Sequence, residues 1–350
     1  MSTEAPKKER PTVPDESSPV LSKRSVWLTV GGVILFAFLA NLALIPIMAK
    51  CTPNSGYKIV HKKWQLLSET PDVDIVIVGD SSGDQGVDPD VLKQELGLSA
   101  LNLCTVGDMM VLNDAAMVEE YLRTHTAPKM VIDLHVYDVW ERDVAGSALA
   151  QIPFSVGQLK QVTPWIKHDF DWTADIVTSR YLPLYSESKS FKQLVFNTLT
   201  RKKARTDEAD KIGPNGFLRQ ENSDPDLVNS DLAKHTETLQ NLKATISDTN
   251  KQALQRLIQL SNEKGFSFYL VSAPIYQGLA DLATFQKHQK ELSAKLEEIL
   301  KPLKNGGYLF PEPRSFPMEV MQNVDHLTVT GAEDFTKQLV EEIRKHESGI

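Results

Sequence analysis

Two distant stretches of this sequence contain residues that together could cleave an ester. The run GDSS at 79–82 directly follows an apolar, β-branched run at 73–78, and the loop sequence NVDHLTVTGA occupies 323–332. A serine acts as a nucleophile when a base lies within about 2.6–3.2 Å of its hydroxyl, and neutral imidazole is the usual base near neutral pH. We therefore predict Ser81 as nucleophile and His326 as general base.

Alternating strands and helices must bring these two stretches together. The pattern predicts strands at 73–78, 100–104, 128–140, 266–273 and 308–310, and helices at 89–97, 111–125, 231–264, 278–303 and 332–345. Strands that are apolar on both faces suit a parallel sheet covered by helices. Loops at the carboxyl ends of such strands form the ligand crevice, so a serine directly after the first strand faces it. The expected fold is a three-layer α/β/α sandwich with a parallel sheet.

The region 141–230 breaks this alternation and is predicted to be an insertion into a domain spanning 71–350. It is rich in aromatic residues and has one basic cluster: Trp165, Trp172, Tyr181, Tyr185 and Arg201–Arg205. The aromatic rings suit either stacking on sugars or packing onto the domain. The basic cluster suits a solvated face, an anionic lipid surface or an anionic polysaccharide.

The N-terminus predicts a membrane anchor. Residues 1–25 mix proline, serine and both charge signs, which is typical of a disordered tail. Residues 26–49 contain no charge and are long enough to cross ~30 Å of hydrocarbon, and 50–70 would be a juxtamembrane stalk. A cleaved signal peptide fits less well because its apolar region is only ~7–15 residues long, and Lys50 argues against lipidation of Cys51. Basic residues flank both ends, and we favour a cytoplasmic N-terminus with the domain outside an inner or plasma membrane.

Composition excludes several classes of function. With 46 acidic against 38 basic residues, the chain has a formal charge of -8 and lacks the broad basic field that nucleic-acid binding requires. Two cysteines cannot form a disulfide scaffold or a four-cysteine zinc site, although a bridge between Cys51 and Cys104 stays open. The sequence has no glycine-rich phosphate loop or dinucleotide fingerprint, and we predict no cofactor.

One acidic and histidine cluster could in principle hold a metal ion. Asp133, His135 and Asp138 form a D-x-H-x-x-D pattern at the third predicted strand. Strand alternation places Asp133 and His135 on one face and Asp138 on the other, so the three cannot converge. We therefore predict no metal site.

The two chemical stretches, together with Gly107, resemble the SGNH/GDSL hydrolase superfamily. The matching segments are GDSS at 79–82, NLCTVGDMM at 102–110 and DHLTVTGAEDF at 325–335. The resemblance implies Ser81 as nucleophile, with Ser82 a weaker candidate one residue further from the strand, and Asp80 as a supporting residue. It also implies that the backbone N–H groups of Ser81 and Gly107 stabilise the oxyanion, each donor contributing a few kcal/mol.

Two positions depart from the family pattern. The third family block usually offers an asparagine as an oxyanion donor, whereas Tyr137 lies nearest that position here; it could donate its hydroxyl or be an ordinary strand-end residue like His135. The acid usually lies three residues before the histidine, where this chain has Asn323. Asp325 could reach back to His326, Asn323 could orient the ring, or the site could work as a dyad. We favour Asp325.

The N-terminal span makes the chain most similar to the membrane-anchored branch of the superfamily. That resemblance implies an esterase or O-acyltransferase acting on an acylated polysaccharide or other surface glycan, in some cases beside a multi-spanning membrane acyltransferase. Two alternatives stay open. One is an inactive binding or assembly protein of a surface polysaccharide system, and the other is a cytoplasm-facing lipase-like enzyme on phospholipid.

Overall fold

The computed structural model describes residues 22–51, 56–149, 151–153 and 208–348, with isolated positions between 158 and 200. Most of the predicted disordered tail lies outside the described residues. So do the predicted aromatic and basic features of the insertion, which are Trp165, Trp172, Tyr181, Tyr185 and Arg201–Arg205.

A five-stranded parallel sheet forms the centre of the described domain. The strands in chain order are β1 Ile75–Gly79, β2 Ala100–Asn102, β3 Met130–His135, β4 Ser267–Ser272, β5 Ile275–Tyr276, β6 Gly306–Leu309 and β7 Ser315–Phe316. The central sheet has the order β2-β1-β3-β4-β6, and β5 and β7 form a separate parallel pair. The predicted α/β fold with a parallel sheet is confirmed.

Helices connect these strands. They are α1 Lys23–Cys51, α2 Gly56–Glu69, α3 Ser81–Gly86, α4 Pro89–Leu96, α5 Met110–Thr124, α6 Gly146–Leu149, α7 Pro225–Asn241, α8 Asp248–Lys264, α9 Gln277–Ala280, α10 Ala283–Leu300 and α11 Val329–Ser348. Every residue of β1 and β3 is buried. Helices α5 and α8 pack against each other, and α3 and α4 pack against α11. Burial on both faces explains why β1 is β-branched from Ile75 to Val78 and shows no polar alternation.

Three predicted elements were wrong in extent, and one of them, the helix expected at 278–303, is the two helices α9 Gln277–Ala280 and α10 Ala283–Leu300. The single helix expected at 231–264 is two helices, because Ala244 adopts a positive φ of 51° and the Ser247 hydroxyl caps α8 by accepting the Asn250 N–H. The strand expected at 128–140 ends at His135. Beyond it the chain turns, with the Val139 N–H donating to the Val136 carbonyl at 3.4 Å.

Helix α1 is long and apolar enough to cross a membrane. Its Lys23–Ala43 portion has a mean hydropathy of 2.1, and its large side chains face outward, with Trp27 and Phe36 each 74% exposed. A core helix of a soluble protein would bury such side chains against the protein. The predicted span at 26–49 falls within this helix.

The segment predicted as a stalk contains α2, which packs into the domain. Ile59, Val60 and Leu67 are buried, and the Trp64 indole donates to Asn113 Oδ1 at 3.2 Å. Burying apolar side chains of this size stabilises the docked helix by roughly 1.5–3 kcal/mol each. Helix α2 is therefore part of the folded domain.

Lys63 anchors α2 from inside the protein. Its side chain is fully buried, and its ammonium donates to Asp84 Oδ1 at 2.5 Å, to the Asn102 carbonyl at 3.1 Å and to the Gly216 carbonyl at 2.5 Å. A buried ammonium group requires such partners, because leaving water without them would cost several kcal/mol. Lys63 thus ties α2 to α3, the helix that begins with Ser81.

Candidate active site

The strand order predicts a ligand crevice at the carboxyl ends of β1 and β3. From β1 the chain leads to β2 on one side, while β3 lies on the other. In open parallel sheets ligands bind where the strand order reverses in this way. The loop after β1 carries Ser81, and the loop after β3 carries Tyr137 and Asp138.

Gly79 and Asp80 set the position of Ser81. Gly79 has a φ of +138°, and a Cβ there would lie 2.1 Å from the Leu134 carbonyl oxygen of β3, so only glycine fits. The Asp80 carboxylate accepts the Ser82 N–H at 2.9 Å and the Val136 N–H at 2.7 Å. Asp80 therefore joins the end of β1 to the end of β3 and fixes the backbone on both sides of Ser81.

Ser81 is the more accessible of the two serines. It is partly exposed at the first position of α3, whereas Ser82 is fully buried. Among the described residues, no acceptor pairs with the backbone N–H of Ser81 or of Gly107. A Cβ on Gly107 would lie 4.0 Å from the Asp80 Cβ, so Gly107 borders the same loop. Both N–H groups therefore remain available as donors at this loop, as an oxyanion hole requires.

His326 is held by both residues that the sequence offered as its partner. Its Nδ1 lies 2.7 Å from Asp325 Oδ1 and 2.8 Å from Asn323 Oδ1. The Asn323 side chain also accepts the backbone N–H groups of Asp325 at 3.0 Å and His326 at 2.8 Å, which curls the loop. With Nδ1 occupied, the lone pair of a neutral ring lies on Nε2, which has no hydrogen-bond partner among the described residues.

Carboxylates dominate the electrostatics around His326. Burial favours the neutral ring, but the charge and hydrogen bond of Asp325 outweigh it and raise the pKa of His326 to about 9, with further contributions from Asp80 and Asp84. Helix α11, which follows the His326 loop, packs against α3, which begins with Ser81. No hydrogen bond joins the Ser81 and His326 side chains in the described structure, and such contacts often tighten only when substrate binds.

Tyr137 has a different partner from the one its predicted role requires. Its hydroxyl lies 2.9 Å from His235 Nδ1, and burial raises the pKa of the phenol. His235 Nε2 in turn lies 4.0 Å from Asp231 Oδ2. The prediction that Tyr137 donates to an oxyanion is therefore not supported by its geometry, because its hydroxyl is already engaged.

Sequence reasoning gave no role to Asp231 and His235. They occupy positions i and i+4 of α7, one turn apart on one face, and their polar atoms lie with those of Asp325 within 4.8 Å of one another. Their D-x-x-x-H spacing is the sequence signal that could have identified them. Nothing in the sequence indicated that α7 would meet the His326 loop.

A second, deeper cluster lies beneath the Ser81 loop. His135 Nε2 is 2.9 Å from Asp133 Oδ1 and 3.2 Å from Asp114 Oδ2, and its Nδ1 is 3.7 Å from Asp80 Oδ2. Burial raises the pKa of Asp114 to about 6; burial also opposes a charged His135, but the carboxylates hold the pKa of that ring well above its usual value. Asp133 and His135 share a face as predicted, and Asp138 instead lies 3.7 Å from Arg142 Nη2.

The free thiol of Cys104 is part of the same buried region. Cys104 is fully buried, and burial raises its pKa well above the ordinary range. A Cβ on Gly83 would lie 2.6 Å from the Cys104 sulfur, so the thiol packs directly under α3. In this environment the thiol behaves as a small apolar side chain rather than as a nucleophile.

Comparison with known proteins adds no relative. No model of a known protein family matches the chain, and no curated protein matches it. Any assignment of function therefore depends on the residues and geometry described above.

Proposed function

We propose that the chain is a membrane-anchored SGNH-type serine esterase or O-acyltransferase that acts on acyl esters, most simply acetyl esters, of polysaccharide outside the cytoplasm. The observation that carries the proposal is the setting of Ser81. Ser81 is partly exposed directly after β1, its backbone N–H and that of Gly107 have no acceptor among the described residues, and Asp325 holds the Nδ1 of His326. The strand order β2-β1-β3-β4-β6 corresponds to the order 2-1-3-4-5 of flavodoxin-like folds, which supports the proposal.

The reaction proceeds through an acyl-enzyme. His326 Nε2 takes the proton from the Ser81 hydroxyl as Oγ attacks the ester carbonyl, and the N–H groups of Ser81 and Gly107 bind the oxyanion. When the tetrahedral intermediate collapses, the C–O bond to the sugar breaks and His326 returns its proton to the departing sugar oxygen. Asp325 stabilises the imidazolium that exists between these two steps.

The second half of the reaction decides between the two activities. His326 deprotonates either water, which releases a free acid, or a sugar hydroxyl, which yields a new ester. Both acceptors use the same residues, so the esterase and the acyltransferase belong to one proposal. The polysaccharide substrate, the multi-spanning partner and the outward orientation follow from the resemblance to the membrane-anchored branch and from helix α1.

A fluorophosphonate probe tests the proposal directly. We would treat the full-length protein in detergent with the probe and locate the modified residue by peptide mass spectrometry. Covalent labelling at Ser81 is the expected result, since phosphonylation requires an activated serine. An unlabelled protein, under conditions that label a known serine esterase, would count against an active nucleophile.

A non-catalytic binding or assembly protein is the second candidate. The engagement of Tyr137 with His235 favours it, because this leaves the oxyanion site with backbone donors and no side-chain donor. Such a protein would bind acylated polysaccharide without reacting with the probe. Binding of an O-acetylated glycan together with absence of labelling would therefore favour this candidate.

The labelling rate should rise with pH up to about 9. The pKa of His326 is raised to about 9, so the ring is mostly protonated at neutral pH and cannot accept a proton. Below that value the neutral fraction increases about tenfold per pH unit. The second-order labelling rate, measured from pH 6 to 10, should climb and then level near pH 9.

The Asp325→Asn variant provides the matched comparison. Removing the carboxylate removes the main interaction that raises the His326 pKa, so the labelling rate should level off at a lower pH than in the wild type. The neutral amide can still accept a hydrogen bond from Nδ1. An unchanged pH profile in this variant would contradict the assignment of Asp325.

A further inference from the structure

The cluster beneath the Ser81 loop contains polar groups that lack hydrogen bonds. Asp114, Asp133 and His135 are each at most 3% exposed. One oxygen of Asp114, both oxygens of Asp133 and both ring nitrogens of His135 have no hydrogen-bond partner in the described structure. Buried polar groups without partners are rare in folded proteins and point to a bound ion, a water or a proton.

The unpartnered atoms lie close to one another. His135 Nε2, Asp133 Oδ1 and Asp114 Oδ2 all lie within 4.8 Å of one another. The nitrogen is 2.9 Å from the Asp133 oxygen and 3.2 Å from the Asp114 oxygen, yet neither contact has hydrogen-bond geometry. Ligands on a common metal ion are arranged in this way, because each points at the ion rather than at its neighbour.

Asp114 has an outer hydrogen bond of the kind that metal ligands usually have, and His135 has a carboxylate near its far nitrogen. The other oxygen of Asp114 accepts the Gly79 N–H at 3.1 Å, and His135 Nδ1 faces Asp80 Oδ2 at 3.7 Å. That nitrogen makes no hydrogen bond in the described structure, but a nearby carboxylate favours a proton on it, which leaves Nε2 free for the metal. The second oxygen of Asp133 would complete four donor atoms.

We propose that Asp114, Asp133 and His135 bind one divalent transition-metal ion in the interior of the domain. Mixed imidazole and carboxylate ligands suit Zn²⁺, Mn²⁺ or Fe²⁺ better than Ca²⁺ or Mg²⁺, which are bound mainly through oxygen. The ion would offset part of the negative charge of Asp80, Asp114 and Asp133. Lys63 does not neutralise these carboxylates, because it is paired with Asp84.

The role of this ion is structural. All three ligands are buried, so no coordination position faces the crevice. Through Asp114 the ion holds Gly79, and through His135 it faces Asp80, so it fixes the two residues that precede Ser81. The inference does not depend on whether Ser81 is a nucleophile.

Metal analysis of the full-length protein tests the proposal. The protein is purified in detergent without chelators, and its metal content is measured by inductively coupled plasma mass spectrometry. We expect about one transition-metal ion per chain in the wild type. We also expect the unfolding temperature to fall after dialysis against a strong chelator and to recover when Zn²⁺ or Mn²⁺ is added back.

Two asparagine variants separate this site from the other acidic and histidine group. Asp133→Asn should lose the bound metal, whereas Asp231→Asn, which alters the group formed with His235 and Asp325, should retain it. If Asp133→Asn does not fold, Co²⁺ added to the metal-free wild type provides the second measurement, through visible absorption that saturates at one ion per chain. Metal loss in Asp231→Asn with retention in Asp133→Asn would overturn the assignment. The assignment would also be overturned if the wild type contained no metal and no added metal raised its unfolding temperature. A shared proton would then hold the cluster together.

Discussion

Replacing Ser81 with alanine should lower the rate of 4-nitrophenyl acetate hydrolysis by the full-length protein about 10³-fold or more, to the background rate. The Ser81 hydroxyl is the proposed nucleophile, and its removal leaves the oxyanion donors and His326 without an atom to attack the ester. The rate is measured by release of nitrophenolate, with enzyme concentration corrected for the folded fraction.

The adjacent serine provides a matched control. Ser82 is fully buried and its hydroxyl has no hydrogen-bond partner among the described residues, so Ser82→Ala removes little beyond one oxygen atom. This variant should retain the wild-type rate within a few-fold. If the Ser82 variant loses activity and the Ser81 variant does not, the nucleophile has been assigned to the wrong serine.

Replacing Lys63 with methionine should destabilise the domain by about 3–5 kcal/mol, because it leaves the Asp84 carboxylate buried without its cation. Methionine preserves most of the side-chain volume, so the effect reports the lost charge and hydrogen bonds rather than a cavity. The carbonyl groups of Asn102 and Gly216 also lose their donor. The free energy of unfolding is measured by denaturant titration in detergent, followed by tryptophan fluorescence.

Two further variants define the origin of this effect. Lys62→Met removes a charge from a more exposed neighbour and should change stability by less than about 0.5 kcal/mol. The double variant Lys63→Met with Asp84→Leu removes both charges and should recover much of the loss, since a buried pair contributes little beyond its apolar replacement. A single Lys63 variant as stable as the wild type would show that the buried pair is dispensable.

The sheet could be predicted because its signal is local. The β-branched run at 73–78 and the Asp88–Gly97 helix, with its proline start and glycine end, specify their elements from neighbouring residues alone. The positions of Ser81 and His326 after a strand and before the last helix follow from that order. For the same reason the errors fall where local signals compete, as at Ser247, whose hydroxyl starts a new helix inside a periodic stretch.

The remaining features depend on contacts between distant parts of the chain. Lys63 resembles any basic residue after a membrane span, and only the packed structure pairs it with Asp84. The sequence pattern argued against a metal site because Asp138 lies on the opposite strand face from Asp133 and His135. The third candidate ligand is instead Asp114 from α5, and no spacing rule identifies which residues of α5 face the sheet. The contact between His235 and Tyr137 also joins distant parts of the chain. The tertiary partners of single polar residues cannot be predicted from the periodicity of a sequence.

The docking of α2 also limits how far the crevice can move from the bilayer. The end of α1 at Cys51 and the start of α2 at Gly56 are separated by four residues, 52–55. Even a fully extended chain of that length covers at most about 18 Å. Because α2 is built into the domain, it cannot unwind to serve as a longer tether while the domain stays folded. With α1 in a membrane, Ser81 would lie within roughly one domain diameter of the lipid surface, and any substrate would have to come within that distance to reach it.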